Sequence, residues 1–309
     1  MEMKKLNIEA LHAELLTQLP VERVRKQEEL KYHTTFKIGG PADIFVEPIS
    51  MDELSFTLKT IKTHNIPLTV IGSGSNILVK DKGIRGAVVS VKEMMQIMDC
   101  KDQTLYVGAG YMLKDVSEFA WSQGLTGLEF AIGIPGTLGG AVFMNAGAYD
   151  GEMSHVVSRV RAVAFDGTIK EYDVKDLDFG YRHSVFHDNH EVIAEIVMTL
   201  TEGNQEAIKA RMDELTEKRE SKQPLEFASA GSTFKRPTGY YAGTLIEQTG
   251  LKGFSVGDAQ VSEKHAGFVI NTGNASAHDV LTLIKEVQQR VHDAHGVHLE
   301  PEVRMIGED

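Results

Sequence analysis

The segment GIPGTLGGAVFMNAGAYDG, residues 133–151, constrains the fold more than any other: six glycines and three alanines stand within nineteen positions. Such residues cannot build a side-chain core; they permit close backbone approach, positive φ and tight turns. Two readings follow: a backbone wrapped against a planar cofactor or a diphosphate, or elements packed tightly through small residues. A second glycine loop, GSGSN at 72–76, joins two apolar runs of strand character and adds neutral donors from Ser73, Ser75 and Asn76. It is not a Rossmann fingerprint, because Ile77 stands at the third glycine position, and it has no P-loop lysine. By itself it reads equally as a ligand loop and as a turn between strands. Two glycine-rich loops in one domain suit a dinucleotide better than a mononucleotide.

Around these loops the pattern is mixed. Ile8, Leu11, Leu15 and Leu19 form an apolar helical face that ends at Pro20, and strands and helices then follow without regular βαβ alternation or a fixed repeat. The strands of SRVRAVAFDGTIKEYDV are joined at a DG turn. At 309 residues the chain exceeds one typical core, and its character shifts near Lys31 and again near residue 200. The expected division is an N-terminal helical segment (1–30), a ligand-binding domain (31–200) and a second α+β domain (201–309). Cys100 is the only cysteine, which excludes internal disulfides and a cysteine-based zinc site within one chain. The net charge, 32 − 44 = −12, disfavours nucleic acid, so any anionic ligand needs local donors. No apolar run approaches a membrane span and the opening residues lack a cleavable signal, so a soluble, cytoplasmic protein is expected.

Three polar segments are candidates for chemistry. FGYRHSVF places Arg182 among aromatic and β-branched residues; it is either a fork for a carboxylate or phosphate or one half of a surface ion pair. AGSTFKRP, 230–237, leaves Ser232 four roles: nucleophile, phosphate contact, proton donor or turn residue. The absence of GxSxG argues against the first. LEPEVRMIG would set Glu300, Glu302 and Arg304 on one face of a regular strand, an assumption that Pro301 weakens. His292, His295 and His298 have no acidic or cysteine partner at diagnostic spacing, and no metal is expected.

Taken in order, TFKIGGPAD, GSGSNILV, GIPGTLGGAVFMNAGAY, YRHSVF, AGSTFKRP, AGTLIEQTGLKG, KHAGFVIN and LEPEVRMIG resemble the UDP-N-acetylenolpyruvoylglucosamine reductases across residues 34–307. The resemblance implies an FAD-binding fold of the vanillyl-alcohol-oxidase (PCMH) type in two α+β subdomains, plus a C-terminal α+β substrate-binding domain. It implies bound FAD, NADPH as reductant and a UDP-sugar enolpyruvyl ether as substrate. The short segment between YRHSVF and the helix beginning near Gln205 resembles the family's shorter type, without the extra tyrosine-bearing loop. Arg182 and Glu302 match the positions that stabilise the intermediate, and Ser232 matches the proton donor. Gly72, Ser73, Gly74, Ser75, Asn76, Ile77, Pro135, Gly136, Thr137, Gly139, Gly140, Asn145, Ala146, Gly147 and Ile193 are the expected FAD contacts. Lys222, Lys235 and Arg236 are the expected UDP contacts, and a monomer is expected.

Overall fold

The computed structural model describes residues 7–94 and 96–309; residues 1–6 of the N-terminal segment lie outside them. The chain forms two compact units built from interleaved segments. The first comprises 1–26, 43–73 and 86–218, the second 27–42, 74–85 and 219–309. Two sequence-distant stretches, 27–42 and 74–85, thus join the C-terminal third in one unit.

The first unit carries a five-stranded antiparallel sheet in the order Ile169–Asp173, Val157–Val163, Val192–Thr199, Thr104–Gly108, Met98–Lys101. The DG turn is as expected: Gly167 takes φ +87°, and the Ala164 and Thr168 backbones bond across it at 2.8 Å. Val107, Val160, Ile196 and Met198 bury one apolar face of the sheet, against which helix Leu113–Ser122 and the short helix Leu138–Phe143 pack. A second core gathers the opening helix, Ile8–Leu15, with helix Met51–Thr63, whose Leu54, Leu58 and Ile61 follow helical spacing. The opening helix stops at Leu15, earlier than Pro20 dictates, and the chain reaches the proline through turns.

In the second unit, a four-stranded antiparallel sheet runs Ala228–Ser232, Phe268–Asn271, Ala259–Val261, Ser255–Val256. Helix Ala277–His295 covers it with Val280, Leu283, Ile284, Val287 and Val291. Two devices fix the start of this helix. Ser276 and Asp279 form a capping box, and the Asp81 carboxylate accepts from the N–H groups of Ala277 (2.8 Å) and His278 (3.0 Å). Gly296 ends it at φ +68°. The C-terminal tail is strand only at Arg304–Ile306, paired in parallel with Ile77–Val79. The regular alternation considered for Glu300, Glu302 and Arg304 does not extend through Pro301, which makes a single bridge to Phe234.

Candidate active site

In the first unit the two glycine-rich loops meet. A Cβ on Gly72 would stand 2.4 Å from the Thr137 hydroxyl oxygen, so glycine is needed at 72 for the loops to touch. Thr137 is buried and caps the short helix through the Gly140 N–H (3.3 Å). The N–H of Leu138 donates to the Tyr111 carbonyl (2.8 Å) and that of Gly139 to the Ala109 carbonyl (2.9 Å). A Cβ at Gly139 would lie 2.8 Å from Ala109 Cβ. Close packing through small residues therefore accounts for Gly139. The N–H groups of Leu138, Gly139 and Gly140 are spent on protein partners, so any diphosphate held here needs other donors. Among the described residues, the hydroxyl oxygen of Ser73, next in the chain to Gly72, is buried without a hydrogen-bond partner. An unpaired buried hydroxyl costs about 1–3 kcal/mol, which a ligand oxygen would relieve. The donor chemistry and the small-residue lining fit a flavin dinucleotide.

Asn145, expected as a cofactor contact, is 2% exposed and holds φ +41°. Its amide donates to Glu152 Oε1 and to the Gly180 carbonyl, both at 3.1 Å, and its Oδ1 accepts from the Ser154 N–H (2.9 Å). Both amide hydrogens are thus committed within the protein. The N–H groups of Asn145 and Ala146 likewise bond to the Val142 and Ala141 carbonyls. Gly147 lies opposite Glu152 in a two-residue ladder, where a Cβ would meet Glu152 Cβ at 2.8 Å. Ile193 is buried in the sheet core opposite Ala162. Arg182 sits in a tight loop at φ +56°, its guanidinium 5.1 Å from the Tyr181 ring centroid. Beside it, His183 reaches Asp178 (3.3 Å) and Asp188 (3.6 Å).

In the second unit AGSTFKRP and LEPEVR lie side by side. The Glu302 N–H donates to the Thr233 carbonyl (2.8 Å) and the Lys235 N–H to the Glu300 carbonyl (2.8 Å). This sets the end of strand Ala228–Ser232 against the segment that carries Glu302. Ser232 is exposed while Thr233 is buried, and the Thr233 hydroxyl accepts from the Val269 N–H (2.9 Å). That alternation separates a side chain available to a ligand from one that holds the strand. Asn76 holds the same tail segment: its amide donates to the Glu302 carbonyl (3.3 Å), and its own carbonyl accepts from Arg304 (3.0 Å). Gly74 holds φ +67° against the His33 and Thr34 backbone, where a Cβ would lie 2.2 Å from the His33 carbonyl oxygen. Lys235 pairs with Glu300 (3.3 Å), and Arg236 stacks 4.1 Å over Tyr241. Lys222 is exposed at the end of helix Gln205–Lys222. Glu152, Ser154 and Thr35, whose hydroxyl donates to the Ser229 carbonyl (2.7 Å), are the polar residues that sequence reading missed. Of these, Glu152 had a signal: an acid closing the glycine-rich segment.

Residues 42–173 match the FAD binding domain family, so the fold and its glycine-rich loops define an FAD-binding oxidoreductase. Residues 223–306 match the C-terminal domain of UDP-N-acetylenolpyruvoylglucosamine reductase. The chain is 47% identical to the reductase of that name from Clostridioides difficile (strain 630), over 98% of this chain and 100% of that protein. It is 45% identical to that of Syntrophomonas wolfei, over 97% and 100% respectively. The crystal structure of the Thermus caldophilus reductase superposes with a TM-score of 0.80 at 36% identity, covering 92% of this chain and 100% of that one. The chain belongs to the UDP-N-acetylenolpyruvoylglucosamine reductase family, with that family's α+β architecture, FAD cofactor and place in peptidoglycan precursor synthesis. Among the described residues, no helix is long and apolar enough to cross a membrane.

Proposed function

We propose that the chain reduces the enolpyruvyl ether of a UDP-amino sugar to its lactyl ether, with NADPH as reductant, in the cytoplasm. Residues 31–200 serve FAD and residues 201–309 the substrate. The observation that carries this reading is the backbone bond from Glu302 to Thr233, which sets Ser232 next to the segment that carries Glu302, with Ser232 exposed and Thr233 buried. FAD, when bound, supplies hydride chemistry. Its proposed contacts are Gly72 to Ile77, Pro135, Gly136, Thr137, Gly139, Gly140, Asn145, Ala146, Gly147 and Ile193. The committed N–H groups make Gly139, Gly140, Asn145 and Ala146 shapers of the wall, while Ser73 Oγ is a donor.

Reduction at the terminal enol carbon leaves negative charge on the adjacent carbon, delocalised into the substrate carboxylate. Arg182 meets that carboxylate with a permanent charge, and Glu302 adds a hydrogen bond to it only when it carries a proton to donate. Ser232 then gives its proton to the carbon beside the carboxylate. Lys222, Lys235 and Arg236 hold the diphosphate. The Lys235–Glu300 pair is exposed, so an anionic ligand displaces Glu300 at little cost.

Anaerobic stopped-flow absorbance of the flavin separates the two half-reactions. Ser232→Ala should leave reduction by NADPH within about twofold and slow reoxidation by the enolpyruvyl nucleotide by about 10²–10⁴-fold. Equal damage to both halves, or none to the second, overturns the assignment.

A further inference from the structure

We propose that Asn145 and Glu152 form a brace that positions Arg182, making both of them positioning residues for reduction of the enolpyruvyl substrate. The inference rests on the reading of Arg182 given above.

The argument begins at the Arg182 loop. Gly180 and His183 bond to each other reciprocally, N–H to carbonyl, at 3.2 Å in both directions. Tyr181 and Arg182 are therefore the two corner residues of a tight turn, and Arg182 holds the left-handed φ of +56°. A non-glycine residue there stores strain and persists only when its surroundings hold it. The hold comes from Asn145, whose amide spans the gap between the Gly180 carbonyl and Glu152 Oε1 at 3.1 Å on each side. Asn145 is itself buried and pinned at its Oδ1 by the Ser154 N–H. The Ser154 hydroxyl donates to the same Glu152 oxygen. The brace closes because position 147 is glycine, the only residue that admits Glu152 Cβ so near its backbone.

Charge gives the brace a second effect. The Ser154 hydroxyl, and then the Asn145 amide, hold the Glu152 carboxyl below its ordinary range against the cost of burial. The positive charges of His155 and Arg182 act in the same direction. Glu152 is thus an anion at neutral pH in the field of Arg182. Through Asn145 it holds the turn that carries Arg182, which leaves the guanidinium placed for the charge that develops on the substrate. Asn145 is required as an amide rather than an acid because it donates twice, once to a carboxylate and once to a carbonyl.

The test uses the FAD-loaded, full-length enzyme and anaerobic stopped-flow absorbance, with Glu152→Gln, Glu152→Asp, Arg182→Lys and the Glu152→Gln/Arg182→Lys double variant. Glutamine keeps the size of Glu152 and an acceptor for Ser154 and Asn145 while removing the charge. We expect Glu152→Gln to slow flavin reoxidation by the enolpyruvyl nucleotide about tenfold at saturating substrate. Reduction by NADPH and the melting temperature should stay unchanged. Glu152→Asp should recover at least about half of that loss on a logarithmic scale, and the double variant should lose several-fold less than the product of the single losses. An unchanged reoxidation rate in Glu152→Gln, multiplicative losses, or equal slowing of both half-reactions overturns the brace. If Arg182→Lys alone leaves reoxidation unchanged, the reading of Arg182 falls instead, and the two failures are told apart by that variant. If Glu152→Gln does not fold, a Glu152→Asp enzyme with slowed NADPH reduction also overturns the proposal.

Discussion

At the residue scale, the most informative side chain outside the catalytic set is His265. Its Nδ1 accepts from the Gly267 N–H (3.0 Å), which fixes the proton on Nε2, and the Gly267 carbonyl in turn accepts from Thr233 (2.8 Å), the neighbour of Ser232. The ring packs edge-on against Phe268. Burial, with help from Lys252 and then Lys222, holds the imidazole below its ordinary value of 6.5, while a hydrogen bond to its own backbone and the charge of Glu247 act the other way. The folded chain therefore binds this proton less readily than the unfolded chain. The resulting stability is complete above pH 6.5 and is lost as pH falls through the range beneath it. His265→Asn retains an acceptor for Gly267 without a proton to take up. It should flatten the decline of the urea midpoint between about pH 7 and about pH 5. An unchanged slope would remove His265 from the account. The role of this histidine is not legible in the sequence, because a hydrogen bond to a glycine two positions on leaves no periodic mark.

Among elements, local pattern was most legible where periodicity was strong. The helix carrying Val280, Ile284, Val287 and Val291, its stop at Gly296, and the DG hairpin all follow from spacing and turn chemistry. The glycine-rich segment was legible as a place of close approach but not as to what approaches. Part of it is a six-residue helix, Leu138–Phe143, stitched to Ala109 and Tyr111, and sequence alone does not separate packing glycines from ligand glycines. Gly139 decides the point. Alanine there places a methyl carbon 2.8 Å from Ala109 Cβ and 3.2 Å from the Ala109 carbonyl oxygen, which itself accepts from Gly139. Neither neighbour is a flexible side chain that swings aside. Gly139→Ala should destabilise the protein by about 1–3 kcal/mol, read by denaturant unfolding of the FAD-free chain. A stability equal to wild type would mean the helix shifts freely, and the packing account of this glycine would fail.

For the whole molecule, the pairing of distant segments is what sequence reading could not reach. Ile77 pairs with Arg304 and Asn76 reaches Glu302, so part of the GSGSN loop belongs with the C-terminal third, while Gly72 and Ser73 belong to the first unit. Apolar period reports which face of a segment is buried, never which partner buries it. Motif resemblance supplied Arg182, Ser232 and Glu302, but not Glu152 or Thr35, which act on backbone and neighbouring side chains rather than on a ligand. With a net charge of −12, the chain has no general attraction for an anionic cofactor, and binding falls to local groups, of which the Ser73 hydroxyl is the one proposed above. This makes a prediction about the stability of the entire chain with opposite signs in its two states. Ser73→Ala removes a buried hydroxyl that has no protein partner, so the FAD-free form should melt at the same temperature or higher, by up to about 1 kcal/mol of stabilisation. With Ser73 as the proposed donor to the cofactor, the same change should weaken FAD binding by about five- to tenfold. Because ligand stabilisation grows as RT ln(1 + [FAD]/Kd), the rise in melting temperature on adding FAD should shrink in the variant while its starting point does not fall. Differential scanning fluorimetry across an FAD titration measures both. A variant that is destabilised without FAD, or whose rise matches that of the wild type, would show that Ser73 is not the donor for which the glycine loops leave room.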